Sequence, residues 1–114
     1  MKKEFVTYEL SLELKQLGFD KPCFGVYFNS TQELFIGKKV NQYTEDVRTS
    51  APTYSQVFRW FREKYNLHQF IEYIEVADRY DWWVRHYMQH AKTYEEAELA
   101  CLKKLIAIVK GNNK

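Results

Sequence analysis

The sequence predicts an α+β fold whose elements follow the order α-β-β-α-β-β-α. Two segments, beginning at Thr53 and Thr93, open with Thr-Tyr and continue with apolar residues at helical spacing. Elsewhere, apolar and polar residues alternate in short runs that turn residues separate. Because short turns join successive strands, we expect an antiparallel sheet of about four strands with the helices packed mainly on one face.

The first element has features of both a strand and a helix. Apolar and polar residues alternate over 6–14, which is a strand pattern. Leu10, Leu14 and Leu17 also recur at helical spacing, and Gly18 follows where a left-handed residue commonly ends a helix. Since Glu, Leu, Lys and Gln favour helices, we predict a helix over 8–17.

A β-hairpin is predicted next. The run "CFGVYF" over 23–28 alternates in side-chain direction, the residues "NSTQ" supply a turn, and "ELFIG" forms the return strand. The polar segment 37–52 shows no clear periodicity, although a short strand near Val40 is an alternative. Loops of this length are uncommon in compact domains and often have a function.

The second predicted helix covers "TYSQVFRWFREKYNL". Thr53 and Gln56 match the capping box, in which a hydroxyl and a side chain three residues later satisfy each other's backbone amides. Arg59 and Glu63 are spaced to pair across one turn, and Asn66 suits a left-handed residue after the helix.

Two strands, over 69–76 and 81–89, and a last helix complete the prediction. The helix opens with a second capping box, formed by Thr93 and Glu96. It carries two apolar stripes, which suit either the centre of the core or a subunit interface, and we expect the core. The stripes consist of Ala97, Cys101, Leu105 and Ile108, and of Leu102, Ile106 and Val109.

Length and charge limit the classes of protein to which the chain can belong. At 114 residues and 13.8 kDa we expect one domain over 1–114. Seventeen basic and fifteen acidic residues are interspersed, giving a net charge of +2. That pattern argues against a nucleic-acid-binding protein, which needs a concentrated positive field. Since no apolar run reaches the length of a membrane span, we expect a cytoplasmic protein without membrane contact.

Residues that could support catalysis or metal binding are present without a recognisable motif. Cys23 and Cys101 lie far apart, and no metal-site spacing surrounds the three histidines. Glu45 and Asp46 are a candidate pair of catalytic carboxylates, but a solvated turn explains them better, as it does most short charge runs. Four glycines are too few for the usual phosphate-binding loop. We therefore expect no catalytic residues, metal or cofactor, and a protein that is not an enzyme.

The candidate binding site comes from strand parity. If 81–89 is one strand, Trp83, Arg85 and Tyr87 share the face opposite Val84. Tyr73 and Tyr27 join them if the register permits. Rings beside an arginine on an uncovered sheet make a stacking platform for a base or nucleotide. The alternatives are a protein interface on that face, which we favour, and ordinary burial under a helix.

Three segments resemble a known family. They are "EFVTYELSLELKQLGFDKPCFG", "APTYSQVFRWFREKYNL" and "KTYEEAELACLKKLIAIVK". They are similar to the signature blocks of a small uncharacterised protein family of Bacteroidetes phages, prophages and mobile elements. The resemblance covers both ends and the central helix; 29–49 and 69–89 show no matching pattern. It implies an intracellular accessory protein of a phage or mobile element and assigns no catalytic residue.

These observations together favour a non-enzymatic protein that binds a protein partner, either a host factor or a second copy of itself. The first alternative is capture of a small nucleotide or nucleotide signal on the aromatic and arginine face. The second is binding of single-stranded nucleic acid, against which the near-neutral charge argues.

Overall fold

The computed structural model describes residues 2–37 and 47–112, and within them the fold is α+β, as the sequence predicts. Val40, Glu45 and Asp46, to which the sequence assigns a strand and a carboxylate pair, lie outside the described residues. The helices are α1 (Tyr8–Gln16), α2 (Tyr54–Tyr65) and α3 (Tyr94–Ala107). The strands are β1 (Gly25–Phe28), β2 (Leu34–Ile36), β3 (Arg48–Ala51), β4 (Gln69–Ile74), β5 (Arg79–Val84) and β6 (Tyr87–Ala91).

The strands form two antiparallel sheets, in the orders β2-β1-β3 and β4-β5-β6. The expected single sheet of about four strands is therefore replaced by two sheets of three in the described part of the chain. The chain falls into two compact units, one ending at Gln56 and the other beginning at Val57, inside α2. The single domain expected from the chain length stays a prediction.

In the first unit, β1 is the central strand and pairs with β2 and β3. Phe5, Tyr27 and Ala51 form a small core cluster beside this sheet. A Cβ added at Gly25 would lie 2.8 Å from Cε1 of Phe5. Glycine is therefore needed at this position, because any side chain would collide with the Phe5 ring.

α1 confirms the helical reading of the first segment. Thr7 begins the helix by accepting a hydrogen bond from the Leu10 amide at 3.4 Å. Gly18, with φ of 98°, follows the end of the helix in the left-handed region. Leu10 and Leu14 are buried, so the helical spacing of the leucines, and not their alternation, determines the structure.

β3 is a strand that the hydrophobic pattern does not reveal. It lies in the segment expected to be a polar loop, and it pairs with β1 through Tyr27↔Thr49 and Gly25↔Ala51. Thr49 and Ala51 are buried, whereas Arg48 and Ser50 alternate with them and are partly exposed. The period of two is present, but small and polar residues carry it, which made the expectation of a loop wrong.

α2 confirms the predicted Arg59–Glu63 pair and the left-handed Asn66, and it forms one of the two hydrogen bonds of the predicted capping box. Arg59 and Glu63 pair at 3.0 Å, and Asn66 takes a positive φ of 54° after the helix. The Gln56 amide donates to Thr53 Oγ1 at 3.3 Å. The Gln56 side chain donates to the Pro22 carbonyl at 2.7 Å instead of returning to Thr53, so the predicted capping box is only half formed.

In the second unit, α3 packs against the sheet β4-β5-β6. Its predicted capping box is complete: Thr93 accepts from the Glu96 amide at 3.1 Å and Glu96 accepts from the Thr93 amide at 3.2 Å. The ring of Tyr94 meets that of Tyr80 in an edge contact at 5.8 Å, which identifies the sheet face that α3 covers. Both apolar stripes of α3 are buried within the single chain, except for a partly exposed Val109.

Candidate functional site

The strand predicted over 81–89 is two strands joined by a tight turn. β5 ends at Val84, β6 begins at Tyr87, and these two residues pair directly. Arg85 and His86 form the turn, and Arg85 has a φ of 57°. A positive φ at the first of two central residues is the pattern of a type II′ turn. The sequence does not mark this turn with Gly, Asn or Pro, and the alternation of side chains continues through it, so the prediction of one strand was wrong.

The turn reverses the expected side-chain parity. Because Val84 and Tyr87 are direct partners, they share a face, and Trp83 lies on the other. Tyr87 faces α3, where Lys104 Nζ lies 4.1 Å from its ring centroid. Trp83, Arg85 and Tyr87 therefore do not form the continuous row that a single strand would have given.

Of the two remaining candidates, Tyr73 lies on the other face of the sheet from Trp83, and Tyr27 belongs to the first unit. Tyr73 pairs directly with Tyr80, at 5.1 Å between ring centroids, and so shares the face that α3 covers. Its hydroxyl donates to Asp78 Oδ1 at 2.8 Å, and this hydrogen bond raises the pKa of Tyr73. Tyr27 belongs to the first unit, where it is buried and donates to the Val6 carbonyl at 2.6 Å. Within the second unit, Tyr73, Trp83, Arg85 and Tyr87 thus form no common platform.

A different set of side chains occupies the face turned away from α3. Phe70 pairs with Trp83, and Trp83 pairs with Met88, so the three form one row across β4, β5 and β6. The rings of Phe70 and Trp83 lie 5.4 Å apart. Phe70 is 57% exposed and Met88 39%, whereas Trp83 between them is partly buried. We call this surface, with Phe70, Trp83 and Met88 at its centre, the open face.

Phe70 and Met88 were absent from the sequence-based site. The sequence does contain a signal for Phe70, since it lies in an alternating run over 69–76. The prediction places Tyr73 instead on the binding face, because nothing in the sequence fixes the pairing of β4 with β5. Met88 was missed because the turn at Arg85 shifts it from the face of Val84 to that of Trp83.

A charged cluster continues the open face beside Trp83. Asp81 is buried, with a 9% exposed side chain, and its Oδ1 accepts from Arg79 Nε at 2.9 Å and lies 2.7 Å from His90 Nδ1. Burial alone would raise the pKa of the Asp81 carboxyl, but the hydrogen bonds to His90 and Arg79 outweigh it and lower that pKa. Asp81 therefore keeps a negative charge in a site where an unpaired carboxylate would be costly.

At the end of the sheet that carries the turn, a shallow groove lies beside the Phe70 and Trp83 rings. Its volume is about 270 Å³, and it is lined by Asn66, His68, Gln69, Phe70, Trp83 and Arg85. Gln69 Oε1 is buried and has no hydrogen-bond partner among the described residues. The groove thus combines flat rings, a guanidinium and an unsatisfied carbonyl oxygen, which is a set of groups that a heterocyclic base could contact.

Among the residues that the structure describes, no strand pairs with the outer backbone edge of β6, which borders the open face. β6 is the last strand in the order β4-β5-β6, and Tyr87, Met88, Gln89 and His90 are exposed. An edge strand presents unpaired amide and carbonyl groups, which natural proteins usually protect with Pro, Lys or a bulge. The sequence "YMQHA" of β6 contains neither Pro nor Lys. Its outer edge therefore suits pairing with an added strand.

The described residues also limit the chemistry that can be assigned. Within residues 2–37 and 47–112, no group of three or more His, Cys, Asp and Glu side chains is placed to hold a metal ion. Burial raises the pKa of the Cys23 thiol to about 11 and that of Cys101 to about 12, so both are protonated at neutral pH. Among the helices of this part of the chain, none combines the length and apolar character that crossing a bilayer requires.

Comparison with known proteins provides no function to transfer to this chain. No protein-family model, no curated protein and no solved structure matches it. The resemblance to the phage and mobile-element family stays an expectation, and the function has to be inferred from the surfaces described above.

Proposed function

We propose that this is a non-enzymatic binding protein that recognises a protein partner through the open face of its second sheet. The observation that carries the proposal is the continuous row of Phe70, Trp83 and Met88, of which the two outer side chains are 57% and 39% exposed. Single exposed apolar residues are common on protein surfaces, but a contiguous group is typical of an interaction site. Aromatic residues and methionine are also enriched where proteins bind each other.

The geometry favours a protein over a small ligand as the main partner. The row extends across three strands and its two outer side chains are exposed, whereas small-molecule sites are concave and enclose most of the ligand. The outer edge of β6 borders the same face, so a partner segment could pair with its backbone and place alternate side chains over Met88 and Trp83. The polar side chains of Arg79, Asp81 and His90 lie beside the row and suit a polar rim.

The cellular setting is part of the proposal and depends on the resemblance noted in the sequence. An accessory protein of a phage or mobile element would act in the cytoplasm of the bacterial host. Its partner would then be a host factor, and the open face would act by covering a surface of that factor. Self-association through the same face is the competing form of this proposal.

Affinity purification from host cells tests the proposal. Phe70→Ser and Met88→Ser remove the exposed apolar side chains, and Val76→Ser is the matched control, because Val76 is 98% exposed but lies outside the open face. We expect a stoichiometric partner with the wild-type and Val76→Ser proteins and its loss with the other two. Recovery of the same partner by all four proteins would refute the role of the open face. Recovery of the bait alone, with a wild-type dimer in solution, would indicate self-association.

A small nucleotide is the second candidate, because the groove beside Trp83 carries an orphaned Gln69 oxygen and an arginine. A nucleotide at 100 times its Kd should stabilise the fold by about 2.7 kcal/mol, which a thermal-shift screen with mononucleotides and cyclic dinucleotides would detect. No stabilisation at millimolar ligand would exclude this candidate. Single-stranded nucleic acid is a weaker candidate, and it requires affinity that falls steeply as salt increases.

A further inference from the structure

A cavity in the first unit has no part in the proposed function. Its volume is about 270 Å³, and its walls combine α1, the connection that follows it and β3. It is lined by Ser11, Lys15, Phe19, Asp20, Lys21, Pro22, Arg48 and Ser50. All but two of these side chains are polar or charged, so the cavity suits a polar ligand rather than an apolar one.

The sequence builds this cavity from two periodicities. Ser11 and Lys15 are four residues apart in α1 and therefore lie on one helix face. Arg48 and Ser50 are two residues apart in β3 and therefore share one face of the strand. Each element presents one hydroxyl and one cation to the same space.

The connection after α1 contributes a third cation, Lys21, on a backbone that is held by hydrogen bonds. The Gln56 side chain donates to the Pro22 carbonyl at 2.7 Å, and Cys23 Sγ donates to the Lys21 carbonyl at 3.3 Å. These hydrogen bonds hold the backbone that carries Lys21. The lining contains three basic side chains, Lys15, Lys21 and Arg48, and one carboxylate, Asp20. The net charge of the cavity lining is therefore positive.

Ser11 provides an independent indication of a ligand. The residue is 1% exposed, and its Oγ has no hydrogen-bond partner among the described residues. Buried hydroxyl groups are nearly always hydrogen-bonded, and one that is not calls for an explanation. A serine hydroxyl can rotate its proton towards an acceptor, and Ser11 lines the same cavity as Lys15, Lys21 and Arg48. Ser50 Oγ, by contrast, already accepts from Arg48 Nη1 at 3.1 Å.

We propose that this cavity binds a small phosphate monoester. The phosphate group would accept hydrogen bonds from the Ser11 hydroxyl and from Lys15, Lys21 and Arg48, because charge-assisted bonds to phosphate are the strongest that these side chains make. Asp20 would accept from a hydroxyl group of the esterified molecule, which distinguishes a monoester from inorganic phosphate alone. The volume admits a molecule of about the size of a sugar phosphate.

Titration of the ¹⁵N-labelled full chain by NMR tests the proposal, with glucose 6-phosphate, inorganic phosphate and glucose as probes and NaCl at matched ionic strength. We expect saturable shifts of the amides of residues 11, 15, 48 and 50 with glucose 6-phosphate, with a Kd of about 1 mM or less. Glucose and NaCl should produce none. Absence of saturable shifts with glucose 6-phosphate, or equal shifts with NaCl, would overturn the proposal.

Matched variants assign the residues. Ser11→Ala and Lys21→Gln should each weaken binding of glucose 6-phosphate about tenfold, the effect of losing one charge-assisted hydrogen bond. Ser55→Ala and Lys103→Gln are controls, because they change exposed residues outside the cavity in the same chemical way. If Ser11→Ala binds glucose 6-phosphate as tightly as the wild type, Ser11 is an orphaned hydroxyl only and the proposal fails.

Discussion

The hairpin turn at Arg85 is the feature that decides which side chains reach the open face, and it can be tested by the sign of a stability change. Arg85 has a φ of 57°, which glycine adopts at little cost and a residue with a Cβ does not. A direct change from Arg to Gly would also remove the contacts of the guanidinium. The comparison of Arg85→Gly with Arg85→Ala avoids this difficulty, since both variants lose the same side chain.

The expected magnitude follows from the backbone alone. In the left-handed region a Cβ costs about 1–2 kcal/mol, while the larger unfolded-state entropy of glycine offsets about 0.5–1 kcal/mol of that difference. We therefore expect Arg85→Gly to be more stable than Arg85→Ala by about 0.5–1 kcal/mol. In a continuous strand the sign reverses, because glycine in a strand interior is less stable than alanine by about 0.5–1 kcal/mol.

Urea unfolding followed by far-UV circular dichroism measures this difference. The two variants should have equal m-values, so that the shift in midpoint reports stability and not a change in the surface exposed on unfolding. Arg85→Asn should lie between them, because asparagine tolerates the left-handed region better than alanine. If Arg85→Ala proves more stable than Arg85→Gly, the turn is not at Arg85 and the assignment of Trp83 and Met88 to one face is refuted.

Three further predictions test other parts of the structure. Thr93→Ala should destabilise the protein by about 1 kcal/mol, and by more than Thr53→Ala in urea unfolding, because only Thr93 forms a complete capping box. The pKa of Asp81 is lowered in the folded state. The interactions of its carboxylate therefore stabilise the protein fully above the unfolded pKa of about 3.9, and this stabilisation is lost as the pH falls through the folded pKa. The difference in unfolding free energy between the wild type and Asp81→Asn should accordingly shrink below about pH 4. Burial raises the thiol pKa of Cys23 to about 11 and that of Cys101 to about 12. At pH 8, Cys23 should therefore react with iodoacetamide about 100-fold more slowly in the folded protein than in urea, and Cys101 about 1000-fold more slowly, because only the thiolate reacts. Mass spectrometry would show this, and equal rates would contradict their burial.

The helices could be predicted because the residues that begin and end them are local. Thr53 and Thr93 each accept a hydrogen bond from the backbone amide three residues later, as their capping-box spacing indicates, and Thr7 does the same. Gly18 and Asn66 adopt positive φ where the sequence places the residue after each helix. These interactions lie within four residues of each other along the chain, so the sequence contains everything needed to recognise them.

The second half of the α2 capping box could not be predicted, because the preferred partner of Gln56 is distant in the sequence. The Gln56 side chain was expected to return to the Thr53 amide, but it donates at 2.7 Å to the carbonyl of Pro22, 34 residues away. The hydrogen bond to the Pro22 carbonyl is formed in preference to the local one with the Thr53 amide, because a backbone carbonyl also needs a donor. The position of that carbonyl is fixed only by the fold of the first unit, so the local sequence does not reveal it.

The two missed strand features have a common physical cause. Prediction from hydrophobic periodicity requires that one face of a strand be apolar. The buried face of β3 does not meet this requirement, because it carries the polar Thr49 and the small Ala51. At the β5–β6 turn, Arg85 occupies a position where a glycine or asparagine would have signalled positive φ. In both places the fold is set by pairing with a neighbouring strand, and propensity is overridden.

The two features that the sequence did not predict, β3 and the turn at Arg85, also contribute to the two candidate binding sites, which are the cavity in the first unit and the open face. A physical reason connects the two observations. β3 escaped recognition because Arg48 and Ser50 line a cavity instead of the core, so its exposed face carries no apolar pattern. The turn escaped recognition because it carries an arginine beside the groove and the exposed aromatic row. Binding residues are exposed and often polar, so they interrupt the hydrophobic periodicity that buried residues produce. Segments whose secondary structure is hardest to predict from periodicity are therefore the first ones to examine for function.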